Sequence, residues 1–153
     1  MVGGSRQKYI ENGCSLITHL YSCTSTIRRE AGFRIAGVVE ATYLRDDVYA
    51  ELIADGCHLP HSLLRLAYKL KGADRLVLVT DAMRAAGLEQ TGAFDIGGVP
   101  CIVEDGVAKL LDRSAFAGSV ATADRLVRTC YAAGIPLADC VKMITQTPAK
   151  IMG

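Results

Sequence analysis

The chain has almost no charge imbalance: 17 Lys and Arg against 16 Asp and Glu give a net charge of +1 over 153 residues. Acids and bases are interspersed, so nothing builds the basic face that nucleic acid or an anionic membrane requires, and neither is expected as a partner. Long apolar runs are also missing; none approaches the ~20 residues of a membrane span. The opening Met1-Val2-Gly3-Gly4-Ser5-Arg6 lacks the apolar centre of a secretion signal, and a cytoplasmic location is expected. Six cysteines occur, but at wide and irregular spacings with no C-x-x-C pair. That pattern argues against a zinc or disulfide framework and for reduced thiols, several of them inside apolar stretches. What remains, 50% hydrophobic and 22% charged residues, is the composition of one globular domain with a real core.

The order of elements alternates. Residues 6–12 read as the end of a helix closed by Gly13. Ser15 to Tyr21 reads as a strand, followed by a polar loop from Ser22 to Arg34. Glu51 to Gly56 reads as a second strand whose exit carries Cys57 and His58. Pro60 and Ser62 open a helix with Leu63, Leu66, Ala67 and Leu70 at i, i+3, i+4 and i+7, and Gly72 stops it. A strand over Leu76–Thr80 follows. This β-α-β order implies a parallel sheet. Alternating segments around Glu104-Asp105-Gly106 then signal a hairpin insertion over about 92–112. Helices return from about Ala121 to Ala133, with Leu126, Val127, Cys130 and Tyr131 inward, and again from Pro136. The last has Leu137, Val141 and Ile144 as its stripe, with Pro148 just beyond it.

Each of the three strands ends in a polar group: His19, His58 and Asp81. The run Leu76-Val77-Leu78-Val79 suits a strand buried on both faces, so Asp81 stands where the chain emerges from the core. An acid there is either a catalytic group at a strand mouth or an Asx turn cap. Only three histidines exist, and two occupy equivalent exits. Parallel neighbours would point all three groups into one basin.

Several segments together carry a family resemblance: Thr18-His19-Leu20-Tyr21, Arg29-Glu30-Ala31-Gly32, Leu52 to His58, Leu78 to Met83, Ala117-Gly118-Ser119 and Thr147-Pro148-Ala149-Lys150. In this order the chain resembles the C-terminal part of the N-acetylglucosamine-6-phosphate deacetylases, metal-dependent amidohydrolases with a TIM-barrel fold. The resemblance implies an α/β fold: a partial (β/α)₈ barrel covering about the last three β/α units, strands six to eight, with an inserted β-hairpin and C-terminal helices. Residues 1–153 would be a single fragment of the barrel domain, since a whole barrel takes about 250 residues. It further implies that His19 ligates a divalent metal, zinc or iron, and that Asp81 is the general acid and base. Arg29 and His58 would hold the sugar phosphate. Ser22, Cys23, Phe116, Ala117, Gly118 and Ser119 would lie against the substrate, N-acetylglucosamine-6-phosphate.

Two departures qualify the resemblance. Ser22-Cys23-Thr24 stands where the family has Asn-Ala-Met, which keeps backbone contacts and loses an Asn side chain. No histidine accompanies Gly3-Gly4-Ser5, near where a Gly-His segment is expected, and the other metal ligands are missing. The chain by itself is therefore expected to hold metal poorly, with none bound as one outcome, and to lack useful deacetylase activity. Exposed sheet edges favour self-association into a homo-oligomer. Another amidohydrolase activity (dihydroorotase-like or amino-acid deacylase) and a non-catalytic sugar-phosphate-binding module are the alternatives.

Overall fold

The computed structural model describes residues 12–88 and 92–153. The helix end expected over residues 6–12 lies outside them, apart from Asn12, which forms a turn with Gly13. At the centre is a three-stranded sheet of β1 (Leu16–Ile17), β4 (Tyr49–Leu52) and β5 (Leu76–Leu78), in the order β1-β4-β5. Both pairings are parallel, with Ile17 opposite Ala50 and Leu52 opposite Leu78. All three residues of β5 are buried, as the unbroken apolar run requires. The sheet is open; the described residues form no closed barrel. The expected first two strands are shorter than their apolar stretches. Ser15–Tyr21 narrows to β1, and Glu51–Gly56 starts two residues earlier and leaves the ladder after Leu52.

The segment read as a polar loop holds a two-stranded hairpin, β2 (Arg28–Glu30) and β3 (Phe33–Ile35), turned at Ala31-Gly32. A helix follows, α1 (Val38–Leu44), where the sequence reading had no element. Its start explains why it was missed. The N-cap is Gly37 rather than a Ser, Thr, Asp or Asn. Glu40 reaches back, its Oε2 accepting the Gly37 amide at 2.6 Å and its Oε1 the Thr26 hydroxyl at 2.7 Å, and the distant Ser25 Oγ accepts the Val38 amide at 3.1 Å. Gly37 also has no room for a side chain, because a Cβ would stand 2.2 Å from the Ser25 carbonyl oxygen.

Between β4 and β5 runs α2 (His61–Lys71), stopped by Gly72 at φ +66° as read from the sequence. Its buried residues are Leu64 and Ala67, whereas Leu66 and Leu70 face solvent. The expected insertion is larger than a hairpin. It is a four-stranded antiparallel sheet of β6 (Gly92–Ile96), β7 (Val99–Glu104), β8 (Val107–Leu110) and β9 (Phe116–Gly118), with the Asp105-Gly106 turn where expected and a second turn at Gly97-Gly98. Three helices close the chain: α3 (Ala123–Ala132), α4 (Leu137–Ile144) and α5 (Gln146–Met152). In α3 Leu126 and Cys130 are buried while Tyr131 is exposed; in α4 the buried pair is Cys140 and Met143, with Leu137 and Val141 exposed. Pro148 is inside the first turn of α5 rather than beyond a last helix, where its missing N–H costs nothing. Leu20, Val39, Leu52, Leu64, Leu76, Leu126 and Met143 belong to one core that joins the parallel sheet to its helices. Among the described residues no helix is long and apolar enough to cross a membrane.

Candidate active site

Parallel strands deliver their C-terminal ends to one edge, so the residues that follow β1, β4 and β5 become neighbours. His19, His58 and Asp81 line one cleft of about 550 Å³, together with Ser22 and Cys23 from the first exit and Ala115 to Gly118 from the antiparallel sheet. Ala82, Met83 and Ile96 complete its wall; the first two lie in the Leu78 to Met83 motif, which assigned neither a role, and Ile96 had no such signal. The exits are held by extensions of the ladder: the Leu20 amide donates to the Glu51 carbonyl at 2.8 Å and the Val79 amide to the Leu52 carbonyl at 3.1 Å.

Two of the three exit residues have left-handed backbones, His19 at φ +33° and Asp81 at φ +46°. For a residue with a Cβ this conformation costs roughly 1–2 kcal/mol, so surrounding bonds must impose it. At Asp81 the clamp is visible. Its carbonyl accepts the Ser119 amide at 3.1 Å, the Met83 amide donates back to the Ser119 carbonyl at 2.9 Å, and Ala82 and Ser119 form a parallel bridge. The carboxylate itself is exposed at the cleft wall.

His19 is half-buried and its Nδ1 lies 2.9 Å from the Ser22 carbonyl oxygen. A carbonyl only accepts, so Nδ1 carries the proton and the neutral ring keeps its lone pair on Nε2. That is the state a metal-ligating imidazole needs. Among the described residues, however, no group of three or more His, Cys, Asp or Glu side chains converges to hold a metal. A catalytic zinc takes three protein ligands. The donor set described here is therefore one prepared ligand and does not fit a complete metal site.

His58 is held more firmly. Its side chain is only 9% exposed, and its Nδ1 lies 2.7 Å from Oδ2 of Asp55, whose own side chain is fully buried. Oδ1 of the same carboxylate accepts the amides of Cys57 and His58, each at 2.8 Å. Burial pushes the Asp55 carboxyl up, but the hydrogen bonds from the His58 ring and from the His58 and Cys57 amides outweigh it and hold the group below the usual carboxylate range. Across the cleft Phe116 meets the His58 ring edge-on, centroids 4.9 Å apart. Asp55 escaped the sequence reading, although an Asp three residues before a strand-exit His, with Gly56 between, was a signal in plain view.

Two residues assigned by resemblance are placed elsewhere. Arg29 is exposed on β2, opposite Arg34 across the hairpin, and does not line the cleft. Ser119 is fully buried, its Oγ accepting the Ala121 amide at 2.9 Å, so its contribution is to the backbone clamp on Asp81. All six cysteines are free.

No family model matches the chain. It is 38% identical over 145 residues to an N-acetylglucosamine-6-phosphate deacetylase of Lysinibacillus sphaericus, covering 94% of this chain and 36% of that protein. It is 34% identical over 148 residues to an N-acetylgalactosamine-6-phosphate deacetylase of a Shewanella species, covering 95% and 36%. A solved structure of an N-acetyl-D-glucosamine-6-phosphate deacetylase variant from Mycobacterium smegmatis, in complex with N-acetyl-D-glucosamine-6-phosphate, superposes with a TM-score of 0.85 at 30% identity, over 94% of this chain and 38% of that one. The chain thus spans little more than a third of the length of the relatives it matches.

Proposed function

The chain is related along nearly its whole length to one part of the N-acetylglucosamine-6-phosphate deacetylases, and on that premise we propose that it carries the substrate-facing edge of such an enzyme. In this reading β1, β4 and β5 are strands six to eight of an eight-stranded barrel. The complete enzyme hydrolyses the acetamide of N-acetylglucosamine-6-phosphate to glucosamine-6-phosphate and acetate in the cytoplasm. The observation that carries the reading is the meeting of His19, His58 and Asp81 at three parallel strand exits in one cleft.

Asp81 is the proton carrier. Amide hydrolysis needs a base that takes a proton from the attacking water and an acid that returns one to the departing amine, and one exposed carboxylate at the cleft wall serves both in turn. A divalent metal, zinc or iron, would supply Lewis-acid activation of the water and the amide carbonyl, and His19 Nε2 is the single ligand the described residues would contribute to it. His58, aimed by Asp55, meets the phosphate end of the substrate. Arg29 gives the phosphate a cation from the hairpin, outside the cleft wall. Phe116 to Gly118 lie along the sugar, and Ser22 and Cys23 offer backbone groups beside His19. The relative from Shewanella supports a second reading in which the sugar is N-acetylgalactosamine-6-phosphate.

A chimera tests this. With residues 12–153 in place of the matching segment of the Lysinibacillus sphaericus deacetylase, acetate release from both phosphorylated sugars and from unphosphorylated N-acetylglucosamine is measured. The account expects at least about tenfold preference for a phosphorylated sugar, the value of one or more charge-assisted hydrogen bonds. Equal rates on the unphosphorylated sugar would remove the phosphate-reading role. The 153-residue chain alone, with added zinc or iron, is expected to release no acetate.

A further inference from the structure

The segment from Ala54 to Leu59 contains a buried carboxylate that accepts three hydrogen bonds, and nothing in the proton chemistry of Asp81 needs it. Asp55 is 1% exposed and spends its Oδ1 on two backbone amides and its Oδ2 on His58 Nδ1. A turn cap would need only the amides. The third bond reaches out of the turn to a ring that lines the cleft. The opposite ring atom, Nε2, makes no hydrogen bond within the described residues, in a side chain nine-tenths buried and pressed edge-on by Phe116.

We propose that Asp55 is a positioning residue: it fixes the ring orientation and tautomer of His58, so that Nδ1 holds a proton facing inward and Nε2 is the atom offered to the ligand. The inference rests on the reading that His58 meets the substrate; a bare Nε2 accepts, so the group it faces is a donor, a sugar hydroxyl or the P–OH of a singly ionised phosphate. A carboxylate accepts and never donates when ionised, so it admits only Nδ1–H as its partner. An asparagine in its place has both an acceptor and a donor. Its oxygen would stay with the Cys57 and His58 amides, and its NH₂ would face Nδ1. The ring would then be forced to carry its proton on Nε2 and would present a donor to the cleft where it had presented an acceptor, as when a triad carboxylate is changed to an amide. The backbone turn would be retained, which separates positioning from capping.

Three histidines make the test tractable by nitrogen NMR on the full 153-residue chain. In the unsubstituted chain the neutral His58 ring is expected to bear its proton on Nδ1, and in Asp55→Asn on Nε2. The first measurement involves no substitution, so it decides even if the variant does not fold. A native ring protonated on Nε2 overturns the proposal, as does a folded Asp55→Asn variant that keeps the Nδ1–H form. N-acetylglucosamine-6-phosphate is then titrated into both proteins. Binding is expected to shift the His58 ring signals in the native chain and to weaken by about tenfold in Asp55→Asn, where Nε2–H would face the ligand's donor; binding that tightens instead would overturn the acceptor role of Nε2. A tautomer that switches while the sugar phosphate leaves His58 unmoved supports the Asp55 role and sinks the phosphate role of His58 instead.

Discussion

Asp55 and Asp81 are acids at neighbouring strand exits with opposite environments, one walled in and one open. The three exit residues were legible in the sequence because parallel strands put their exits together whatever the loops do. The partner of His58 was not weighed, since its importance comes from burial, and burial depends on chain far from it. The depressed Asp55 ionisation makes a prediction with a definite sign. Its stabilisation is present above the unfolded carboxylate value of about 3.9 and is lost as pH falls through the lower folded value. Urea midpoints of the native chain and Asp55→Asn should therefore differ at pH 7 and draw together only in acid below about pH 4; a gap independent of pH would contradict the linkage. Cysteine reactivity is the second prediction at this scale. Cys23 is exposed on the cleft wall, whereas burial pushes the Cys130 thiol up to about 12. A thiol reagent should modify Cys23 first and leave Cys130 untouched until unfolding, and bound sugar phosphate should slow the reaction at Cys23.

Helix existence was easier to read than helix facing. For α2, α3 and α4 the sequence supplied each helix and its glycine or proline punctuation. In α3 the expected Leu126 and Cys130 are buried and Tyr131 alone is exposed. In α2, however, Leu64 joins Ala67 in place of Leu66 and Leu70, and in α4 Cys140 and Met143 take the place of Leu137 and Val141. The displacements have one cause: apolar residues lie on both sides of the true stripe. In α2 Leu63, Leu64, Leu66 and Leu70 span more than one face, and packing against α1, β5 and α3 selects Leu64 and Ala67. The consequence is measurable. Leu64→Ala empties a fully buried site and should cost about 2–5 kcal/mol in urea unfolding, while Leu66→Ala, 42% exposed, should cost well under 1 kcal/mol. A larger loss at Leu66 than at Leu64 would mean the stripe read from the sequence is the one the helix uses. The hairpin of β2 and β3 and helix α1 were invisible for a different reason. Their stops and caps come from Glu40 and Ser25, thirteen or more residues from some of the groups they hold.

At the scale of the whole molecule, the β-α-β order read from the sequence is the order of the parallel sheet, and the antiparallel excursion falls where the Asp-Gly signal put it. Among the described residues β1 and β5 each have one partner, so two edges of the sheet carry unpaired backbone groups there. We expect the 153-residue chain to associate with itself through these edges, and light scattering after size exclusion should give a mass above 16.3 kDa; a monomer over a hundredfold range of concentration would count against it. The central claim is that Asp81 moves the protons of amide hydrolysis in the cleft shared with His19 and His58. Its most direct test is Asp81→Asn in the chimeric deacetylase carrying residues 12–153, with turnover and substrate affinity measured side by side. The account predicts turnover lowered by at least about 100-fold, within the range for loss of a general acid–base group, with affinity for N-acetylglucosamine-6-phosphate changed by less than about threefold. Turnover that Asp81→Asn leaves unchanged would contradict it.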